Sequence, residues 1–285
     1  MVKATIHDIK LFDNFLGIIN KFVQQCQFIL DTDGVKVYCK NPTNFSSARL
    51  LLDSDVISLN KNQELSEVKI CIRDVIAFKS AISIVEQVEN VNSIELNLDV
   101  VKSLDDTFVK SIKYNSKNGG KFNLITIDFE VIRDFVSKNS TAVLKKDWRF
   151  NVDPKNLDIA QNRTNNIVNL DEVSVYIYPD EDTKKAIVEL SSKKSASINS
   201  IAIPISETAE GSLNGFGYKE IAIHESSFRI FNILKTTDSN DIECFFNMEN
   251  NIFFITSKIS LNNYTIKSRL FIQMVKGKWS AKAVI

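Results

Sequence analysis

The sequence predicts an α+β fold: two similar domains, with helices on one face of antiparallel sheets. Three observations predict it. The stretch from Ala4 to Asp53 reads as one complete unit of strand, capped helix and three-stranded meander. Three later stretches echo it, with acidic helix starts at Asp8, Asp74, Asp153 and Glu225, at intervals of roughly 70 residues. The 285 residues, 44% of them hydrophobic, supply cores for two domains. The expected boundaries are residues 1–128 and 148–285, with a connector over 129–147.

The first unit opens with a short strand through Ala4 and Ile6. Asp8 then caps a helix on which Leu11, Phe12, Phe15, Ile19 and Phe22 recur at helical spacing. Strands follow at Gln25–Leu30, Val35–Cys39 and Ala48–Leu52, with Asp33-Gly34 as the turn between the first two. Asp55 to Ser66 reads as a polar connection. The second unit runs from Val68–Ile72 through the Asp74 cap to a stripe of Val75, Phe78, Ile82 and Val85. Its strands are expected at Ser93–Leu98, Thr107–Tyr114 and Lys121–Asp128, with a long loop over Val100–Asp106 and a turn at Asn118-Gly119-Gly120.

Phe129 to Asp147 breaks the rhythm and reads as the connector. The third unit opens at Trp148–Val152, and Asp153-Pro154 starts a helix with a thin stripe of Leu157, Ala160 and Thr164. Strands are expected at Glu172–Tyr178, Ala186–Leu190 and Ile198–Ile205, then a loop over Ser206–Gly217. The fourth unit opens at Glu220–Ile223, with Phe228, Phe231 and Leu234 on its helix. Strands follow at Asp241–Phe246, Ile252–Ser257 and Tyr264–Met274, and Gly277–Ile285 reads as a tail.

Charge and composition exclude some function classes. Lys+Arg and Asp+Glu stand at 35 each, so the chain has no general attraction for nucleic acid or membrane, although a local basic face is compatible with neutrality. No apolar run approaches a membrane span, and Met1–His7 lacks the core of a signal peptide. The expected location is cytoplasmic. Cys26, Cys39, Cys71 and Cys244 are scattered without a Cys-x-x-Cys pair, which fits reduced, buried strand residues. His7 and His224 precede helix caps and have no metal-ligand spacing around them. No phosphate loop, Gly-x-Ser-x-Gly or His-Glu-x-x-His motif is present. The chain reads as a non-enzyme without cofactor or metal.

The helix faces turned away from the core carry the positive signal. Lys10, Asn14 and Lys21 fall there in the first helix, Lys155 with Arg163 on its flank in the third, and Arg229 in the fourth. The second helix is weaker: Lys79 lies at the edge, and Ser80 lies opposite the core. Any one of these cations is ordinarily just solvated surface. Together, with few outward acids, they suit a phosphate backbone approached without base reading.

The pattern of two domains, each of two such units, resembles the DNA polymerase sliding clamps of the proliferating cell nuclear antigen and viral clamp type. The local match runs from Phe28-Ile-Leu-Asp-Thr-Asp-Gly34-Val-Lys-Val-Tyr to Leu52, and Ile252-Phe-Phe-Ile to Met274 resembles the closing strands of the second domain. The Val100–Asp106 loop and an outward Ile159 depart from the pattern.

The resemblance implies a DNA-clamp fold and a head-to-tail homotrimeric ring around duplex DNA. It implies a processivity factor in DNA replication, opened by an ATP-driven clamp loader and tethering a DNA polymerase, wherever viral DNA is copied if the source is viral. It places Lys10, Lys21, Lys79, Lys155, Arg163 and Arg229 in the hole. It places a partner-peptide groove at Lys40, Phe135, Val136, Ile272 and Met274. It also implies a subunit joint between Phe108–Tyr114 (Phe108, Ile112, Tyr114) and Ile198–Ile205 (Ile201, Ile203), where Pro204 gives the second stretch edge character. A viral structural or host-interaction protein without DNA contact is the alternative reading.

Overall fold

The computed structural model describes residues 2–40, 46–60, 65–103, 106–116 and 120–126. From residue 148 onward it describes strands: 148–152, 172–179, 186–193, 204–206, 209–211, 219–224, 242–247, 252–261 and 264–279. The chain divides into two compact units. One comprises Met1–Lys40, Ala48–Lys138 and Ser260–Lys267; the other comprises Asn41–Ser47, Asn139–Ile259 and Ser268–Ile285.

The first unit follows the predicted order. β1 (Val2–Ile6) leads to α1 (Ile9–Asn20), then β2 (Cys26–Asp31), β3 (Gly34–Lys40), β4 (Ser46–Asp53) and β5 (Ile57–Leu59). β6 (Glu67–Ile72) leads to α2 (Val75–Glu89), then β7 (Ile94–Ser103), β8 (Asp106–Asn115) and β9 (Lys121–Ile125).

Both helices start where an acid can bind an unpaired amide. The Leu11 N–H donates to Asp8 Oδ1 at 2.8 Å, and the Ala77 N–H donates to Asp74 Oδ1 at 3.0 Å. α2 ends on Asn90 in the left-handed region, φ 51°, with its N–H on the Glu86 carbonyl. The apolar stripes go inward. Leu11, Phe12, Phe15 and Ile19 of α1 and Val75, Phe78, Ile82 and Val85 of α2 are all buried. Phe12 packs against Phe15, Phe28 and Phe78 with ring centroids 6.2, 6.4 and 5.9 Å apart, so one residue joins α1, α2 and the sheet.

β2 and β3 form a hairpin closed by the Asp31–Gly34 pair, and the Asp33 N–H donates to Asp31 Oδ1 at 2.8 Å. Gly34 sits at φ +132°, and a Cβ there would lie 2.1 Å from the Leu52 carbonyl oxygen. The turn therefore demands glycine twice over, by dihedral and by the close passage of β4.

Four sequence expectations are corrected. The polar connection Asp55–Ser66 contains β5, which pairs with β1 through Ala4–Leu59, Thr5–Ser58 and Ile6–Ile57. The loop expected at Val100–Asp106 is mostly strand: β7 continues to Ser103 across a bulge between Asp99 and Val100, and β8 begins at Asp106. Within Ser206–Gly217 lies another short strand, and the tail from Gly277 begins as strand; both belong to the second unit described next.

The described strands from residue 148 onward are β10 (Trp148–Val152), β11 (Glu172–Pro179), β12 (Ala186–Lys193), β13 (Pro204–Ser206), β14 (Ala209–Gly211), β15 (Lys219–His224), β16 (Ile242–Asn247), β17 (Ile252–Leu261) and β18 (Tyr264–Trp279); all belong to the second unit except the end of β17 and the start of β18, within Ser260–Lys267. β14 is the strand inside the expected loop, paired to β10 through Trp148–Gly211 and Phe150–Ala209. β18 runs through Gly277 to Trp279, opposite Lys219 of β15.

The pairing pattern repeats. β1 lies between β5 and β7, as β10 lies between β14 and β16. β2 lies between β3 and β6, as β11 lies between β12 and β15. The internal repetition weakly visible in residue types is explicit in strand order.

Candidate nucleic-acid interface

α1 and α2 lie side by side and antiparallel, since Asp13 meets Lys79 and Ser83 while Gly17 faces the Lys79 stem. Their apolar stripes face the sheet, so their other sides form one surface. On α1, Lys10 and its cap residue Lys21 are exposed.

Lys79 behaves differently. Its Nζ donates to Asp13 Oδ2 at 2.6 Å, and the Ser83 hydroxyl donates to Asp13 Oδ1 at 2.5 Å. Outward acids are few on these faces by residue pattern, but Asp13 is one that matters. No local pattern announces it, because the pair joins residues on two helices separated by five strands of chain. The outward side of α2 carries no compensating cation. It shows Ser80 with exposed Ile76, Ile84 and Val88.

The expected subunit joint is corrected in one respect. Phe108–Tyr114 lies in β8, which is not an edge. Ser111, Ile112 and Lys113 pair with β7 on one side and β9 on the other, and Phe108 and Val109 pair with β7 and, in parallel, β6. Ile112 and Tyr114 are buried in this unit. Among the described residues, β9 pairs only with β8. The Ser116 N–H bonds the Gly120 carbonyl at 2.7 Å and the Thr126 N–H bonds the Lys110 carbonyl at 3.2 Å. The antiparallel alternation then turns the backbone of Phe122 and Leu124 toward β8 and that of Lys121, Asn123 and Ile125 outward. Ile125 is also 72% exposed, the largest exposure among the exposed large hydrophobic side chains described.

The hairpin that presents β9 is fixed to α2. The Ser116 hydroxyl donates to Glu89 Oε2, and a Cβ on Gly120 would lie 2.5 Å from Glu89 Oε1.

The remaining site residues are placed only in part. Lys40 ends β3, and Ile272 and Met274 lie in β18, with Met274 opposite Ile223. Pro204 opens β13 and pairs with Glu189 at a register shift, a position that tolerates a missing amide donor. Phe135, Val136, Lys155, Arg163, Ile201, Ile203 and Arg229 lie outside the described residues.

His7 and three of the four cysteines have structural surroundings. His7 Nε2 lies 3.1 Å from the Ser58 hydroxyl. Cys26, Cys39 and Cys71 are buried free thiols, and burial pushes the Cys26 thiol well above its ordinary value. Among the described residues no group of three His, Cys, Asp or Glu side chains is arranged to hold a metal. No described helix is long and apolar enough to cross a membrane.

No family model and no curated protein matches the sequence. The fold, however, matches solved structures along nearly the whole chain. One is the PCNA2-PCNA3 complex from Sulfolobus tokodaii, with a TM-score of 0.60 at 12% identity, covering 96% of this chain and 99% of that one. Another is the proliferating cellular nuclear antigen of Entamoeba histolytica, with a TM-score of 0.60 at 14% identity, covering 96% and 98%. The chain has the α+β sliding-clamp fold.

Proposed function

We propose that the protein is a DNA sliding clamp: a non-enzymatic ring, assembled as a homotrimer, that encircles duplex DNA and tethers a DNA polymerase. The observation that carries this reading is the clamp fold over 96% of the chain, matched to 99% of a chain from an assembled clamp complex. Exposed Lys10 and Lys21 on the helix side supply phosphate attraction without base reading. Lys155, Arg163 and Arg229 extend it in the second domain. A ring held by topology needs little intrinsic affinity, which accords with a net charge of zero. Opening falls to an ATP-driven loader. Partner peptides dock at Lys40, Phe135, Val136, Ile272 and Met274.

The first-domain side of the subunit joint is β9, whose outward backbone groups are a template for another strand. Its partner is the stretch of Ile201 and Ile203 in the next copy. The test is solution mass by light scattering. The wild-type chain should run at three times its 32.3 kDa. Asn123→Pro removes one outward amide and leaves the bonds to β8 intact, so it should give folded protein of lower mass. A wild-type protein that stays monomeric at micromolar concentration contradicts a stable ring.

One observation favours the alternative, a protein-docking role without DNA contact: Ile76, Ile84 and Val88 are exposed on α2. Under that reading the protein shows no salt-dependent association with duplex.

A further inference from the structure

Lys79 is the only basic residue between Val75 and Glu89, a helix that also carries Glu86 and Glu89. Whatever α2 offers a phosphate must therefore come from this one ammonium. Yet Lys79 points sideways to α1. Asp13 receives it at 2.6 Å and is itself held by the Ser83 hydroxyl. The Asp13 side chain is 16% exposed and that of Lys79 34%, so the acid is fixed in the helix–helix seam and the cation lies at its rim.

We propose that Asp13 is an attenuator of duplex attraction: it ties Lys79 into the seam between α1 and α2 and withholds it from DNA phosphate. This rests on the clamp reading. The tie lowers grip rather than building it. The first unit then meets the duplex through α1 alone, while α2 presents the uncharged side of Ile76, Ser80 and Ile84. The carboxylate, largely buried and fixed by Ser83, is what holds the lysine, so removing its charge releases it. Weak grip is what a ring that slides requires, because each fixed phosphate contact must break for the ring to advance.

Asp13→Asn tests this. The amide keeps an oxygen for the Ser83 hydroxyl but loses the charge that holds Lys79. Binding of the full-length protein to a short fluorescent duplex is followed by anisotropy across a salt series. One released cation adds about one phosphate contact, so the slope of log Kobs against log salt should steepen by about 0.9. A fourfold rise in salt should then cost the variant about 3.5 times more affinity than it costs wild type. Asp13→Asn with Lys79→Gln should return to the wild-type slope. Thermal melting confirms that each variant is folded.

An unchanged slope in folded Asp13→Asn overturns the attenuator. So does a steeper slope that persists in the double variant, which would assign the effect to the carboxylate's own field. Failure of the clamp reading looks different: wild-type protein then shows no salt-dependent duplex binding, and Lys10→Gln with Lys21→Gln changes nothing.

Discussion

Replacing Phe12 by alanine should destabilise the whole first unit, because this side chain is fully buried and touches both helices and the sheet. The magnitude follows from its surroundings. Removing the ring returns apolar area worth about 2–3 kcal/mol. Three aromatic partners, Phe15, Phe28 and Phe78, each lose an edge or tilted contact worth about 0.5 kcal/mol or more. The sum, about 4 kcal/mol, falls within the usual cost of a buried Phe→Ala cavity. Phe12→Leu fills most of the space and should cost about 1.5 kcal/mol. Urea unfolding followed by far-ultraviolet circular dichroism reads both values. Since the ring bridges α1 and α2, the two helices should be lost in one transition. A Phe12→Ala midpoint close to that of Phe12→Leu would refute the claim that this residue joins the unit.

Gly34→Ala should cost about 2–3 kcal/mol, because φ +132° is foreign to alanine and its methyl would meet the Leu52 carbonyl; denaturant midpoints check it, and a neutral effect would mean β4 passes elsewhere. Stability should fall in alkali. The Asp31 carboxylate, bonded to Lys36 at 2.9 Å, raises Lys36 above 10.5, burial raises Tyr114 above 10.0, and burial raises Cys26 well above 9.0. Each folded group keeps its proton to higher pH than in the unfolded chain. This stabilisation is therefore complete below the unfolded values and is lost as pH rises through the folded ones. Melting temperature should decline from about pH 9 upward, less steeply in Tyr114→Phe; a flat alkaline profile contradicts the assignment.

The helices were legible because their signals are local. Asp8 and Asp74 sit one residue before their helices, and each amide they bind is three residues on. The hairpin at Gly34 was legible for the same reason. Strands made by distant pairing were harder. β5 is three residues set in a polar stretch, and only β1, more than fifty residues earlier, makes it a strand. β14 and the end of β18 depend likewise on β10 and β15. Phe108, Ile112 and Tyr114 are apolar residues that need cover, but the residue types do not say which strands supply it. The neighbours of β8, which are β6, β7 and β9, all come from its own unit, so among the described residues the edge passes to β9. The electrostatics of the helix side were half legible. Lys10 and Lys21 stand exposed as the 3.6-residue period implies, whereas the Asp13–Lys79 tie depends on how two helices pack. The clamp fold itself emerged from the order of units, with no short motif behind it.

The central claim is a closed ring, and imaging tests it most directly. Single-particle class averages of the purified chain, at a concentration where light scattering shows one oligomeric species, should present three copies around a central opening wide enough for duplex DNA. Compact particles with no opening, or a population of single chains at micromolar concentration, would contradict it.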